Sequence, residues 1–255
     1  MIRILRRFLT VALIVSCYAA LSQDAGGLSK LEGKGWRAIS IGRDVSGWHG
    51  RAGKSNSWFS ASSVRTIQNG DRQMLEGTGG PGSILLNGPD GRTADLITDE
   101  KFGDLELYLE FLVTRKSNSG VYLHGLYELQ IFDSYGTEKV GIHDCGAIYE
   151  RWINEKGVGG SAPLVNASRP PGEWQSFHIW FRAPRFDRNG KKVEDARFVK
   201  VEHNGTVIQR DVIAPGPTRA SLDIPEAPRN PLMLQGDHGP VAFRNMFVRR
   251  LPPVK

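Results

Sequence analysis

Leu105-Glu106-Leu107-Tyr108-Leu109-Glu110-Phe111 carries an apolar residue at every second position. A two-residue period fits a strand with one face buried, because successive side chains point to opposite faces of a sheet. Working outward, Tyr127-Glu128-Leu129-Gln130-Ile131 alternates in the same way. So do Phe177-His178-Ile179-Trp180-Phe181 and Val241-Ala242-Phe243-Arg244-Asn245-Met246-Phe247, with aromatics on the expected inner face. Turn signals separate such runs: Asn69-Gly70, Gly79-Gly80-Pro81-Gly82, Gly88-Pro89-Asp90-Gly91, Asn189-Gly190 and Asn204-Gly205. No stretch reads as a helix of three or more turns. The expected fold is all-β, an antiparallel β-sandwich of jelly-roll type. Residues 158–171, rich in Gly, Pro and Ser, are expected to form a long surface loop.

The 255 residues, 40% hydrophobic and 24% charged, fit one large β domain and no fibrous, disordered or multi-span class. Arg3, Arg6 and Arg7, then the apolar stretch from Phe8 to Val15, then Ser16, Ala19, Ala20 and Ser22 form the pattern of a secretory signal peptide over residues 1–22. The apolar stretch is too short for a membrane span. Two processing routes stay open. Ile14-Val15-Ser16-Cys17 resembles a lipobox and would leave a lipid anchor on Cys17, whereas cleavage after Ser22 would release a periplasmic or extracellular protein beginning at Gln23. Residues 23–30 read as a flexible leader and residues 31–255 as a single domain.

Losing residues 1–22 removes three Arg and no acid, so the formal charge drops from +6 to +3. Lys and Arg are scattered among acids with no basic stripe, which argues against a nucleic-acid partner. Cys17 and Cys145 are the only cysteines, so the mature domain is expected to hold together without a disulfide, and no cysteine-based metal site is read. No His spacing suggests a metal site. No cofactor is expected, although a divalent cation assisting catalysis is not readable from the sequence, and neither is the oligomeric state.

A series of blocks resembles the 3-keto-disaccharide hydrolase domain family. They are Gly35-Trp36-Arg37, Ser46-Gly47-Trp48, Leu96-Ile97-Thr98-Asp99 with Phe102-Gly103-Asp104, Asn118 to Leu123, Tyr127 to Ile131 with Asp133-Ser134-Tyr135-Gly136, Cys145 to Tyr149, Pro170 to Trp174, His203-Asn204-Gly205, and Leu234-Gln235 to His238-Gly239 with Phe243-Arg244-Asn245. Together they run from about Trp36 to Leu251. The resemblance implies a fold similar to concanavalin A-like lectins and glucanases, and cleavage of glycosides already oxidised at C3 of the sugar. One position departs: the family often has Arg where this chain has His124.

Retaining hydrolysis of an ordinary glycoside needs two carboxylates about 5–5.5 Å apart. On the strand bearing Glu128 the next residues of the same face are Gln130 and Phe132, and Asp133 has the wrong parity. A 3-keto sugar changes the requirement, because the ketone acidifies the C2 proton and one base can start β-elimination of the C1 substituent. Glu128 is the candidate base, with His238 or His124 as acid or base. Asn118, Gln130, Tyr149, Gln235 and Arg244 are candidate substrate-binding residues, donating to sugar or enolate oxygens.

Each has a plainer reading. Glu128 and Gln130 fit a solvated sheet face, His238 a turn, and Arg244 a salt-bridged sheet residue. A two-residue turn at Gly125-Leu126 would put His124 on the face away from Glu128; a three-residue turn through Tyr127 would pair the two, and this is the expectation. Trp48, Trp58 and Trp152 are candidates for stacking on a pyranose ring. The competing function is a non-catalytic, lectin-like carbohydrate-binding module, which would lack a converged ionisable pair.

Overall fold

The computed structural model describes Leu31, residues 35–39 and residues 45–251. The expected signal peptide, lipobox cysteine and leader lie outside the described residues. The chain divides into a unit of residues 1–37 and one of residues 38–255. Of the first, Leu31 and residues 35–37 are described; the following account concerns the second.

Nineteen strands are described, together with a single 3-10 turn at Arg51–Gly53. In chain order they are β1 (Arg37–Ala38), β2 (Trp48–Gly50), β3 (Phe59–Ala61), β4 (Ser63–Asn69), β5 (Arg72–Thr78), β6 (Ile84–Leu86), β7 (Leu96–Phe102), β8 (Leu105–Val113), β9 (Asn118–Leu123), β10 (Tyr127–Phe132), β11 (Arg151–Ile153), β12 (Lys156–Val158), β13 (Gln175–Arg182), β14 (Arg185–Phe186), β15 (Lys192–Glu194), β16 (Ala196–His203), β17 (Thr206–Ala214), β18 (Asn230–Leu234) and β19 (Val241–Arg250). The larger sheet runs β17-β16-β13-β8-β19-β6-β3 and the smaller β10-β9-β18-β7-β2. The pairings in both are antiparallel. The fold is the antiparallel β-sandwich that the alternating runs indicate.

The inward half of each period builds one core. Leu105, Leu107, Leu109, Phe111 and Val113 of β8, with Phe177, Ile179 and Phe181 of β13, meet Val121, Leu123, Leu129, Ile131, Leu232 and Leu234 of the smaller sheet. Each fully buried aliphatic or aromatic side chain contributes roughly 1.5–3 kcal/mol. Trp48 and Trp58 join this core, so neither is a sugar platform, whereas Trp152 on β11 is 47% exposed.

The polar half of the β8 period faces outward from the larger sheet. Glu110 receives a 2.5 Å hydrogen bond from Arg244 Nε on β19, and the Arg244 guanidinium lies 4.2 Å from the centroid of the Trp174 ring. Arg244 shares this outer face with Ala242, which packs with Leu86 and Leu112 in a separate apolar patch. The expectation of Arg244 as a substrate donor is corrected: it is a salt-bridged sheet residue.

The β9–β10 hairpin also corrects an expectation. Leu123 pairs with Tyr127, leaving His124-Gly125-Leu126 as the loop, so Tyr122 rather than His124 stands opposite Glu128. His124 has φ 58°, which turns its ring inward to within 5.2 Å of Phe181 and 6.3 Å of Tyr127 by centroids. Its Nε2 donates to Gly103 O at 3.4 Å, and burial pushes its pKa down to about 4. A neutral, core-facing imidazole is not an acid or base for a substrate on the opposite face.

Candidate active site

The face of the smaller sheet that turns away from the core is fixed by register. Glu128, Gln130 and Phe132 of β10 stand opposite Tyr122, Gly120 and Asn118 of β9. Met233 of β18 pairs with Tyr122, Gln235 N donates to Gly120 O at 3.0 Å just beyond it, and Ile97 of β7 pairs with Met233. Directly opposed residues share a face, so Glu128, Gln130, Asn118 and Gln235 form one patch with Tyr122. Met233, Tyr122 and Ile97 give it an apolar floor, against which Leu222 packs.

Glu128 is 3% exposed. Burial pushes its carboxyl up to about 8, opposed by the nearby Tyr122 hydroxyl, which itself donates to Arg219 O at 3.3 Å, and by the charge of His238, while Asp95 and Asp237 raise it further. The carboxyl fits only because β9 has glycine at 120: a Cβ there would come within 2.5 Å of Glu128 Oε1. The backbone at Glu128 is clamped from two sides. Its N–H donates to Thr218 Oγ1 at 3.1 Å, and its carbonyl accepts from Tyr149 N at 3.1 Å.

His238 enters from the loop after β18. Its Nδ1 hydrogen-bonds the Asp237 carboxylate, which raises its pKa against the effect of burial; Asp95 and Glu128 add to the rise. Asp237 is held low by the same contact. The loop is anchored by Asp95, which accepts from Gly236 N at 3.0 Å and from Arg51 Nη1 at 3.0 Å. Arg51 also donates to Ala220 O (2.8 Å) and Ser221 O (2.6 Å), tying the segment after β17 to the same corner.

Asn118 Oδ1, Gln130 Oε1 and Gln235 Oε1 are buried without a hydrogen-bond partner. A buried polar atom left unsatisfied costs about 1–3 kcal/mol, so three on one face suit a hydroxyl-rich ligand. Gln130 Nε2 donates to His143 O at 3.4 Å. Tyr149 is half-buried against the His143 ring, with centroids 5.1 Å apart, and its pKa is raised by burial and by the charges of Glu128 and Glu150. Asp133 Oδ2 accepts from Lys116 N at 2.9 Å in the turn before β9.

Of the expected residues, the fold thus gathers Glu128, His238, Asn118, Gln130, Gln235 and Tyr149, and separates His124 and Arg244 from them. Sequence reasoning passed over Tyr122, Asp95, Asp237 and Arg51. Tyr122 has the right parity with Asn118 and Gly120, and Asp237 adjoins His238; Asp95 and Arg51 are distant in the chain and leave no local signal. Among the described residues, no group of three or more His, Cys, Asp or Glu side chains is arranged to hold a metal ion.

The profile of the 3-keto-alpha-glucoside-1,2-lyase-like domain matches residues 35–249. No curated protein matches the chain in sequence. The solved structures it resembles include two candidate glycosyl hydrolases from Parabacteroides distasonis. One is 27% identical, with a TM-score of 0.62 over 86% of this chain and 84% of the other. The second, at 15% identity and a TM-score of 0.57 over 88% of this chain and 97% of the other, is alike in fold alone.

Proposed function

The chain belongs to the 3-keto-alpha-glucoside-1,2-lyase-like domain family, a carbohydrate-active group, and on that premise we propose that it cleaves 3-keto-glycosides by elimination followed by hydration. The observation that carries this reading is the Glu128 carboxyl, buried on the site face and pushed up to about 8, beside the His238–Asp237 pair. A base is most effective when its pKa is near the working pH.

The Glu128 carboxylate takes the C2 proton, made acidic by the C3 ketone. The electron pair passes through the enolate to form the C1–C2 double bond, and the C1–O bond to the leaving group breaks. His238, its protonated form favoured by Asp237, gives a proton to the departing oxygen. Water then adds at C1, its released proton passing to His238, and Glu128 returns its proton to C2, so the net change is hydrolysis and both side chains recover their starting states. The enolate oxygen requires donors, and the Tyr149 hydroxyl and the amide groups of Asn118, Gln130 and Gln235 are the neutral polar groups of this patch. The apolar floor of Tyr122 and Met233 strengthens such hydrogen bonds by excluding water.

The ionisable pair favours this over a binding module, which needs platforms and amides and no acid coupled to a base. With the N-terminal signal pattern, the reading is of an exported enzyme. The test is turnover of a chromogenic 3-keto-glucoside by the purified protein, beside the unoxidised glucoside and Glu128→Gln. Cleavage of the keto compound alone, lost in the variant, is expected. Sugar binding without cleavage of either compound would make the protein a lectin-like module.

A further inference from the structure

A cavity of about 360 Å³ opens beside the site and shares His238 with it. Four chain segments meet there. The β4–β5 hairpin contributes Asp71 and Arg72, the loop before β7 contributes Arg92, the turn before β9 contributes Arg115 and Lys116, and the loop before β19 contributes His238. Arg115 N donates to Gln73 Oε1 at 2.9 Å, which fixes the hairpin to the turn. The turn then passes straight into the site: Ser117 lines the cavity, and the next residue, Asn118, stands on the face of Glu128.

The charge of this cavity is one-sided. Arg72, Arg92, Arg115 and Lys116 stand against Asp71 as the only acid of the lining. Elsewhere in the protein, cations pair with carboxylates, as Arg65 does with Glu76, Arg197 with Asp211 and Lys200 with Glu202. Among the described residues, none of the four cavity cations makes such a pair. A second observation points to a ligand. Thr114, 0% exposed, lines the cavity with its Oγ1 buried and without a hydrogen-bond partner. Four unpaired cations cost self-repulsion, and an idle buried hydroxyl costs desolvation. A bound oxyanion relieves the first by accepting from guanidinium and ammonium groups together, and relieves the second once the Thr114 hydroxyl turns toward it.

We propose that this cavity is an anion-recognising subsite and that the substrate carries an acidic oxygen group, a carboxylate, sulfate or phosphate, outside the sugar ring whose C1–O bond is cleaved. The proposal rests on the catalytic reading for the word substrate, and on the cavity alone for the anion. It deepens that reading by selecting acidic 3-keto-glycosides over neutral ones.

Calorimetric titration at low ionic strength, with glucuronate, glucose 6-sulfate, glucose 6-phosphate and glucose, tests the anion directly. At least one acidic sugar is expected to bind about tenfold or more tightly than glucose, and the three acidic arms identify the group. Both Arg92 and Arg115 are exposed, so the double variant R92Q/R115Q is expected to keep the wild-type melting temperature while losing that preference. Added salt should weaken the preference too. Equal affinity for acidic and neutral sugars, or an unchanged preference in the double variant, overturns the proposal. A parallel comparison of kcat/KM for 3-keto-glucosides with carboxylated and neutral leaving groups separates the two readings. If neither is cleaved while acidic sugars still bind, the catalytic reading fails and the anion subsite stands.

Discussion

The Glu128 carboxyl occupies the space that a side chain at Gly120 would fill, since a Cβ there would lie 2.5 Å from Oε1 and 3.1 Å from Cγ. The nearest atom is the far end of a flexible side chain, so an added methyl group displaces the carboxyl rather than the backbone. Gly120→Ala should therefore fold and melt within a few degrees of wild type. Its kcat for a 3-keto-glucoside should drop about tenfold or more, because catalytic groups misplaced by about 1 Å can cost a hundredfold. A variant with full activity would mean that the carboxyl in this position is not the base.

Glu128 should also leave a signature in stability. Its folded pKa of about 8 lies above its unfolded value of 4.5, so the native state binds the extra proton between these values. Unfolding free energy then decreases as pH rises through this window, and the full penalty applies above about 8. Glu128→Gln keeps the shape and removes the titration. It should be more stable than wild type by a few kcal/mol near pH 9 and nearly equal to it near pH 4. Urea melts at the two pH values give the comparison. A difference independent of pH would place the ionisation elsewhere.

The alternation in residues 105–111 and 127–131 made the sandwich legible, because the period of side-chain burial is written into each strand by itself. What a strand pairs with is not written there. The expected pairing of His124 with Glu128 failed because the three-residue loop begins one residue earlier: Tyr122 keeps the expected face opposite Glu128, while His124 leaves the strand at φ 58° and its ring turns to the core. Arg244 shows the same limit: its polar position between apolar neighbours is visible, but whether that face meets substrate or Glu110 depends on which sheet β19 joins. Asp95 and Arg51 were illegible because their value lies in reaching residues far along the chain, Gly236 at 141 positions and Ser221 at 170.

The His238–Asp237 contact predicts a titration shift. The hydrogen bond from the imidazole to the carboxylate is the largest cause of the raised His238 pKa. Asp237→Asn removes the charge and keeps a similar shape, so the His238 ring should lose its proton at lower pH than in wild type. The ring proton resonances followed by NMR report this without any need for turnover. In kinetics, the descending limb of the pH profile should move to lower pH. An unchanged His238 titration would mean that the two groups are not in contact in solution.

Arg244 supplies the contrast that separates fold from site. Glu110 is 5% exposed, and Arg244→Ala strips it of the cation that holds it, leaving the 3.0 Å hydrogen bond from the Tyr108 hydroxyl. Losing one partner of a fully buried pair costs about 3–5 kcal/mol, and the Arg244 side chain is 21% exposed, which screens the pair and lowers the expected cost to about 2 kcal/mol. For a domain of this size that is a drop of roughly 4–8 °C in melting temperature. The surviving folded protein should turn over a 3-keto-glucoside with unchanged kcat and KM, because the outer face of the larger sheet is remote from Glu128. Thermal melts and initial rates on one preparation decide it. A loss of kcat without a loss of melting temperature would return Arg244 to the site and would require a different packing of β19.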